Sequence, residues 1–272
     1  MDRPLVMGIL NVTPDSFSDG GAHLDSIVAR DRAMTMVGEG ADLIDIGGES
    51  TRPGSVPVSP VEQCRRVLPV IDALLSNSAV DSRPFVSIDT SSSRVARESL
   101  ARGVVLVNDV TAGSADPRMF EVVAEYEAHM VLMHMQGTPL TMQDSPQYGH
   151  VVDEVAEFLL SRAEAAIAAG VARERLILDP GIGFGKTREH NLELLRHLDQ
   201  FCVLGFPILL GCSRKRFMGS LCEETNPTAL VGATVATTAL AVAQGVRLFR
   251  VHDVKPNRQA ADVAWRLSPL TA

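Results

Sequence analysis

The chain has 272 residues, 46% of them hydrophobic and only 4% aromatic, which suits one large packed α/β domain and excludes a disordered chain. Lys and Arg total 25 against 33 Asp and Glu, and the resulting net charge of -8 argues against a nucleic-acid coat, so no nucleic-acid partner is expected. Cys64, Cys202, Cys212 and Cys222 form no Cys-x-x-Cys pair and read as reduced thiols of a cytoplasmic protein. The first apolar run is too short for a secretory leader, and no run suits a membrane span.

Apolar runs rich in Val, Ile and Leu alternate with helix-like stretches along the whole chain. A strand is predicted at 5–10 and a helix at 26–38, followed by a strand at 43–46 and a helix at 59–75. Ser59-Pro60 places Pro at the first helical position, with Glu62 as the carboxylate of a capping box. The pattern repeats as strand 85–88 and helix 91–101, strand 104–107 and helix 116–126, then strand 129–133 and helix 151–169. It ends with strand 176–178 and helix 190–198, strand 207–211 and helix 228–244, and strand 248–251 and helix 256–266. Gly103 and Gly170 stand where helices should stop. Strands without strict alternation are buried on both faces. Eight βα units with no linker, no low-complexity tract and no dinucleotide fingerprint predict a single-domain α/β fold, a TIM (β/α)8 barrel.

Polar residues fall singly or in pairs just after the apolar runs: Asn11, Asp45, Asp89, Asn108, His134, Asp179, Lys215, and Arg250 with His252. A closed parallel barrel brings all of those strand ends to one rim. Taken singly, each residue suits an ordinary turn cap as well as a site. Three polar segments leave the same rim, at 11–25, 47–58 and 136–149, and loops of that length cover ligands more often than they serve the core. Asp179-Pro180-Gly181-Ile182-Gly183-Phe184-Gly185-Lys186-Thr187 imitates a phosphate-binding loop, but Pro180 stands where that motif needs its first Gly, so the glycines read as a tight turn. The seven His make no zinc pattern, and no Gly-x-Ser-x-Gly elbow occurs.

The segment from Gly8 to Gly21, Gly-Ile-Leu-Asn-Val-Thr-Pro-Asp-Ser-Phe-Ser-Asp-Gly-Gly, resembles the bacterial dihydropteroate synthase family of pterin-binding enzymes. So do Asp45-Ile46-Gly47-Gly48-Glu49-Ser50-Thr51-Arg52-Pro53-Gly54, Ser87-Ile88-Asp89-Thr90 and Asn108-Asp109. The likeness continues through Met133-His134-Met135-Gln136-Gly137-Thr138-Pro139, the glycine turn after Asp179, Ser213-Arg214-Lys215 and Arg250-Val251-His252-Asp253-Val254. It spans almost the whole chain in order.

The resemblance implies condensation of 6-hydroxymethyl-7,8-dihydropterin pyrophosphate with 4-aminobenzoate, giving 7,8-dihydropteroate and pyrophosphate. Asp89, Asn108, Asp179 and Lys215 are the implied pterin contacts. A carboxylate accepts from an amino and ring N–H pair, an amide serves a mixed edge, and a lysine donates to a carbonyl or ring nitrogen. Asn11, Arg52, Arg250 and His252 are implied at the pyrophosphate, with Asn11 also facing a magnesium ion. The helix starting near Lys255-Pro256 would aim backbone N–H groups at the same place. Asp89, Asp179, Lys215, Asn11, Arg250 and His252 together form the implied catalytic set. Phe17, Asp19, Thr51, Arg52 and Pro53 resemble loop residues that close over the 4-aminobenzoate pocket, where Ser213 would hold the carboxylate. Asp109 reads as a structural cap and Arg214 as an outward structural Arg.

The family also implies a homodimer and a target for sulfonamides. A pterin-dependent methyltransferase and a catalytically silent pterin binder are the alternatives. Arg216 stands where the family usually has Ser, and it reads as a surface residue or as a change in the outer pocket.

Overall fold

The apolar runs pair as a parallel sheet of eight strands: β1 (Leu5–Asn11), β2 (Leu43–Gly47), β3 (Phe85–Asp89), β4 (Leu106–Asp109), β5 (His129–Met133), β6 (Leu176–Asp179), β7 (Leu209–Leu210) and β8 (Leu248–Val251). This computed structural model describes residues 3–13, 22–76 and 84–268. The strand order is β6-β5-β4-β3-β2-β1-β8-β7, and a parallel bridge from Leu178 to Ile208 joins the two edges. The sheet is therefore a closed barrel, as expected.

Helices α1 (Ala22–Gly38), α2 (Pro60–Ser76), α3 (Ser93–Leu100), α4 (Met119–Glu125), α5 (Val151–Ala168), α6 (Arg188–Arg196), α7 (Leu198–Cys202), α8 (Arg216–Cys222), α9 (Val231–Ala243) and α10 (Val254–Leu267) surround it.

Alternation sorts the strand side chains into two cores. Val6, Ile44, Ile46, Val86, Ile88, Val107, Met130, Leu132, Leu178, Leu210 and Phe249 face the helices. Met7, Leu43, Leu106, Val131, Ile177, Leu209 and Leu248 form a separate apolar cluster, one residue from each strand but β3, and fill the barrel interior. Two residues further along the strands the interior turns polar, with Asp45, Ser87, Asn108, Asp179 and Arg250.

Several expected boundaries move for local reasons. The fourth strand starts at Leu106 rather than at position 104, because the helix-ending turn at Gly103 (φ 99°) sends Val104 N back to Ser99 O. The seventh strand shrinks to Leu209–Leu210: Pro207 has no N–H for the ladder and only its carbonyl is used, by Leu178 N at 2.9 Å. Residues 190–198 become α6, capped by Thr187, and the short α7. Pro227–Ala229 is a 3-10 turn that delays α9 to Val231.

Asp116, expected in a helix, instead accepts from Ser93 N and Arg118 N at 2.9 and 3.1 Å. The capping box at α2 is only half formed. Ser59 Oγ accepts from Glu62 N at 3.3 Å, while the Glu62 carboxylate turns to Arg65 and Arg66. That pairing holds its pKa down to about 2. α8 had no counterpart among the expected helices.

Candidate active site

The polar mouth is organised around one buried oxygen. Asp45, on β2, is 0% exposed, and its Oδ2 accepts from Asn108 Nδ2 of β4 at 3.0 Å and from Arg250 Nε of β8 at 2.6 Å. The same guanidinium reaches Asp89 Oδ2, at the end of β3, with Nη2 at 2.7 Å. Three strands thus meet through a single Arg, and Asp45 Oδ2 joins β4 to them. Burial pushes the Asp89 carboxyl up, and the Arg250 charge works against that. Burial also opposes the Arg250 charge, but Asp45 and Asp89 outweigh it and hold the guanidinium protonated.

Gly47 leaves open the space beside this cluster. A Cβ there would lie 3.5 Å from Asp89 Cβ and 3.7 Å from both Asn11 Oδ1 and Asp89 Oδ2, so Asn11 and Asp89 face a common point.

Asp179 and Lys215 make the opposite wall. Asp179 Oδ1 accepts from Gly181 N at 2.7 Å; burial raises the carboxyl's pKa, opposed by that hydrogen bond and by Lys215, Lys186 and Arg250. Lys215 donates to Ile182 O and lies 4.3 Å above the Phe184 ring. Burial lowers its ammonium to about 8, against the pull of Asp179.

Gly181 can sit here only as glycine. Its φ is 68°, and a Cβ would fall 1.9 Å from His134 O. Glycine thus lets the turn after β6 press onto the end of β5 and aim Asp179 inward.

At the end of β8, His252 N and Nδ1 lie 3.1 and 3.0 Å from Ser213 Oγ. Burial, and then the charges of Arg214, Arg250 and Arg52, push the His252 ring down to about 3, so the imidazole is neutral. Arg214, at φ 58°, forks onto Asp253 at 3.0 and 2.6 Å. It is structural as expected, but it is held by Asp253 rather than turned out to solvent.

The 47–58 loop is tied down from beneath. Glu49 accepts from Val58 N and Gln63 Nε2 at 2.7 and 2.9 Å, and Gly54 N donates to Pro139 O at 3.0 Å, linking the second and third rim loops.

The comparisons with known proteins agree with this geometry. The model of the pterin binding enzyme family matches residues 7–252. A dihydropteroate synthase of Synechocystis is 44% identical over 267 residues, covering 97% of this chain and 91% of that protein. The Yersinia pestis dihydropteroate synthase, solved with a sulfonamide drug, superposes with a TM-score of 0.90 at 43% identity, covering 97% of this chain and 94% of that one. The Xanthomonas albilineans dihydropteroate synthase, solved with 4-aminobenzoic acid, gives 0.89 at 45% identity, covering 98% and 93%.

The chain belongs to the dihydropteroate synthase family.

Most residues expected at a dihydropteroate synthase site converge on the mouth: Asn11, Asp89, Asn108, Asp179, Ser213, Lys215, Arg250 and His252. Arg52 is exposed on its loop, yet its charge reaches His252. Thr51 and Pro53 sit on the same loop, half-buried and exposed. Phe17 and Asp19 lie outside the described residues. Asp109 caps the turn after β4, as expected, through Thr111 and Gly113.

Two features had no expected role. One is Asp45, whose partners stand 63 and 205 residues away in the chain. The other is Lys186, 2% exposed, whose Nζ lies 2.9 Å from His134 Nδ1, 3.0 Å from Phe184 O and 3.3 Å from His134 O. Burial and then the Lys186 charge push His134 down to about 3, so its ring is neutral. Lys186 thus staples the glycine turn to β5. In the sequence, the only sign of this was a cation ending the glycine run and a His ending a strand.

Proposed function

We propose that the chain joins 6-hydroxymethyl-7,8-dihydropterin pyrophosphate to 4-aminobenzoate, releasing pyrophosphate and forming 7,8-dihydropteroate. The observation that carries this is the inward ring of Asp89, Asn108, Asp179, Lys215 and Arg250 at one barrel mouth, in a chain 43–45% identical to dihydropteroate synthases solved with a sulfonamide and with 4-aminobenzoic acid.

The pterin lies flat in the mouth. Asp179 and Asp89 accept from its amino and ring N–H groups, Asn108 serves the mixed edge, and Lys215 donates to the carbonyl or a ring nitrogen. A competitor lacking one of these groups leaves a buried partner unpaired, at about 1–3 kcal/mol each.

The diphosphate points toward Asn11, Arg250 and His252, with Arg52 above it and the N-terminus of α10 behind. Loss of pyrophosphate leaves a cation on the pterin methylene, which the electron-rich ring and the two carboxylates stabilise. The arylamine attacks that carbon and then passes its proton to the released pyrophosphate. Its attack needs no strong base, which agrees with a mouth where the His252 ring, pushed down to about 3, is only a weak base. Ser213 holds the carboxylate of 4-aminobenzoate, and Thr51, Arg52 and Pro53 close over it and exclude water.

Magnesium fits the donor set. Asn11 Oδ1 is a hard oxygen at the rim, and magnesium usually takes few protein ligands beside substrate phosphates and water. Bound there, the ion would neutralise the leaving diphosphate. The reading extends to a cytoplasmic homodimer in which sulfonamides compete with 4-aminobenzoate.

The test is to mix purified protein with the pterin pyrophosphate, magnesium and 4-aminobenzoate and to follow both products. Equal amounts of dihydropteroate and pyrophosphate are expected. Tight pterin binding with neither product would contradict the reading.

A further inference from the structure

Asp45 and Asp109 are both completely buried carboxylates on neighbouring parts of the sheet, and they are used in opposite ways. Asp109 faces the helices and satisfies both oxygens locally. Its Oδ1 accepts from Thr111 N and Thr111 Oγ1, each at 2.8 Å, and its Oδ2 accepts from Gly113 N at 2.8 Å. Asp45 faces the interior and concentrates two long-range donors on Oδ2, while among the described residues its Oδ1 has no hydrogen-bond partner. Ser87, its register partner on β3, also has an unpartnered buried Oγ. A carboxylate kept for stability would use both oxygens, because an unsatisfied buried acceptor is costly.

What Asp45 does uniquely is fix two groups that face the mouth. One amide hydrogen of Asn108 is committed to Asp45, which decides which edge of that amide is left for a ligand. The Nε of Arg250 is committed to Asp45, which fixes the plane of the guanidinium and sends Nη2 to Asp89.

We propose that Asp45 is a positioning residue of this reaction: one buried carboxylate oxygen sets the orientation of the Asn108 amide that reads the pterin and of the Arg250 guanidinium that meets the diphosphate. The proposal rests on the site roles given above for Asn108 and Arg250. Asp45 itself touches neither substrate.

Asp45→Asn keeps the volume and removes the shared charged acceptor. The KM for the pterin pyrophosphate and the inhibition constant of inorganic pyrophosphate are both expected to rise by about tenfold or more, with the KM for 4-aminobenzoate moving less than about threefold. In an Arg250→Lys background, Asp45→Asn should add far less than it does alone to the pyrophosphate constant, since the two residues act as one unit. Asp109→Asn is the comparison: a lower melting temperature, with all three constants within about twofold of wild type.

Wild-type pyrophosphate and pterin constants in folded Asp45→Asn, or full additivity with Arg250→Lys, would overturn the proposal. If Asn108→Ala and Arg250→Lys leave the pterin and pyrophosphate constants unchanged, the site roles fall and the proposal falls with them. If those variants shift the constants and Asp45→Asn does not, only the positioning role falls.

Should Asp45→Asn fail to fold, nitrogen-15 NMR of the wild-type chain decides. The Arg250 Nε–H resonance, assigned by its loss in Arg250→Lys, should be shifted downfield and exchange slowly with water. Exchange as fast as that of a free arginine side chain would overturn the proposal.

Discussion

Two adjacent zones of the same barrel interior differ by one step along the strands. The lower zone, Met7, Leu43, Leu106, Val131, Ile177, Leu209 and Leu248, is apolar and closed. The zone above it, reached two residues later on β2, β4, β6 and β8, holds Asp45, Asn108, Asp179 and Arg250. Both zones are largely buried, yet only the first follows the ordinary logic of a core. The second buries carboxylates with raised pKa values and, among the described residues, leaves acceptors unpaired. Burial of this kind costs folding free energy and is retained for binding and catalysis. The lower zone holds the barrel together, and the upper zone is what it presents to substrate.

The largest expected break of that contrast is Asp179→Asn. Loss of a charged acceptor from the pterin should cost about 3 kcal/mol, roughly a hundredfold in kcat/KM for the pterin pyrophosphate. Steady-state kinetics checks it, with the folded fraction measured in parallel.

The converse is Leu209→Ala in the lower zone, where truncation should remove about 2–5 kcal/mol of stability while leaving kcat/KM per folded molecule nearly unchanged. Urea titration and active-site counting separate the two effects.

A third expectation sharpens the electrostatic side. In the proposed reaction Lys215 donates to the pterin as an ammonium, and burial brings its pKa from 10.5 to about 8. The protonated fraction is lost as pH rises, so kcat/KM for the pterin pyrophosphate should fall above pH about 8, approaching roughly tenfold per pH unit, instead of holding until near 10.5. A pH profile of the wild type shows this limb, and Lys215→Met should lack it.

The smallest effect belongs to Arg216, exposed at the first position of α8 and outside the polar ring. Arg216→Ser should change sulfonamide inhibition constants by a few-fold at most, about 0.5–1 kcal/mol, with pterin binding unaltered. Equal inhibition constants before and after would remove Arg216 from the outer pocket.

Much of this was legible in the sequence because strand ends and period-two alternation are local signals. The positions of Asp89, Asn108, Asp179 and Arg250 follow from which residue ends an apolar run and which face it takes. The glycine turn was legible for the same reason, its three positive-φ residues Gly181, Gly183 and Gly185 falling between a strand and a helix. What stayed hidden is long-range. Nothing near Asp45 announces that Arg250, 205 residues away, will share its oxygen with Asn108. The Lys186–His134 staple spans 52 residues, and no pattern marks it either. Local competition decided the rest: the Glu62 carboxylate sits beside two arginines and leaves the capping box, and Pro207 trims β7 by withholding one N–H.

The most direct measurement is the melting temperature of wild type and Asp179→Asn, each with and without the pterin pyrophosphate and magnesium. Burial pushes the Asp179 carboxyl up, so keeping it ionised near neutral pH works against folding, and Asn relieves that. The expected result is a variant that melts at or above the wild-type temperature without ligand and loses most of the ligand-induced rise. A variant that melts several degrees lower while keeping the full ligand shift would place Asp179 with the core below it, and would contradict the division of the barrel into a supporting zone and a working one.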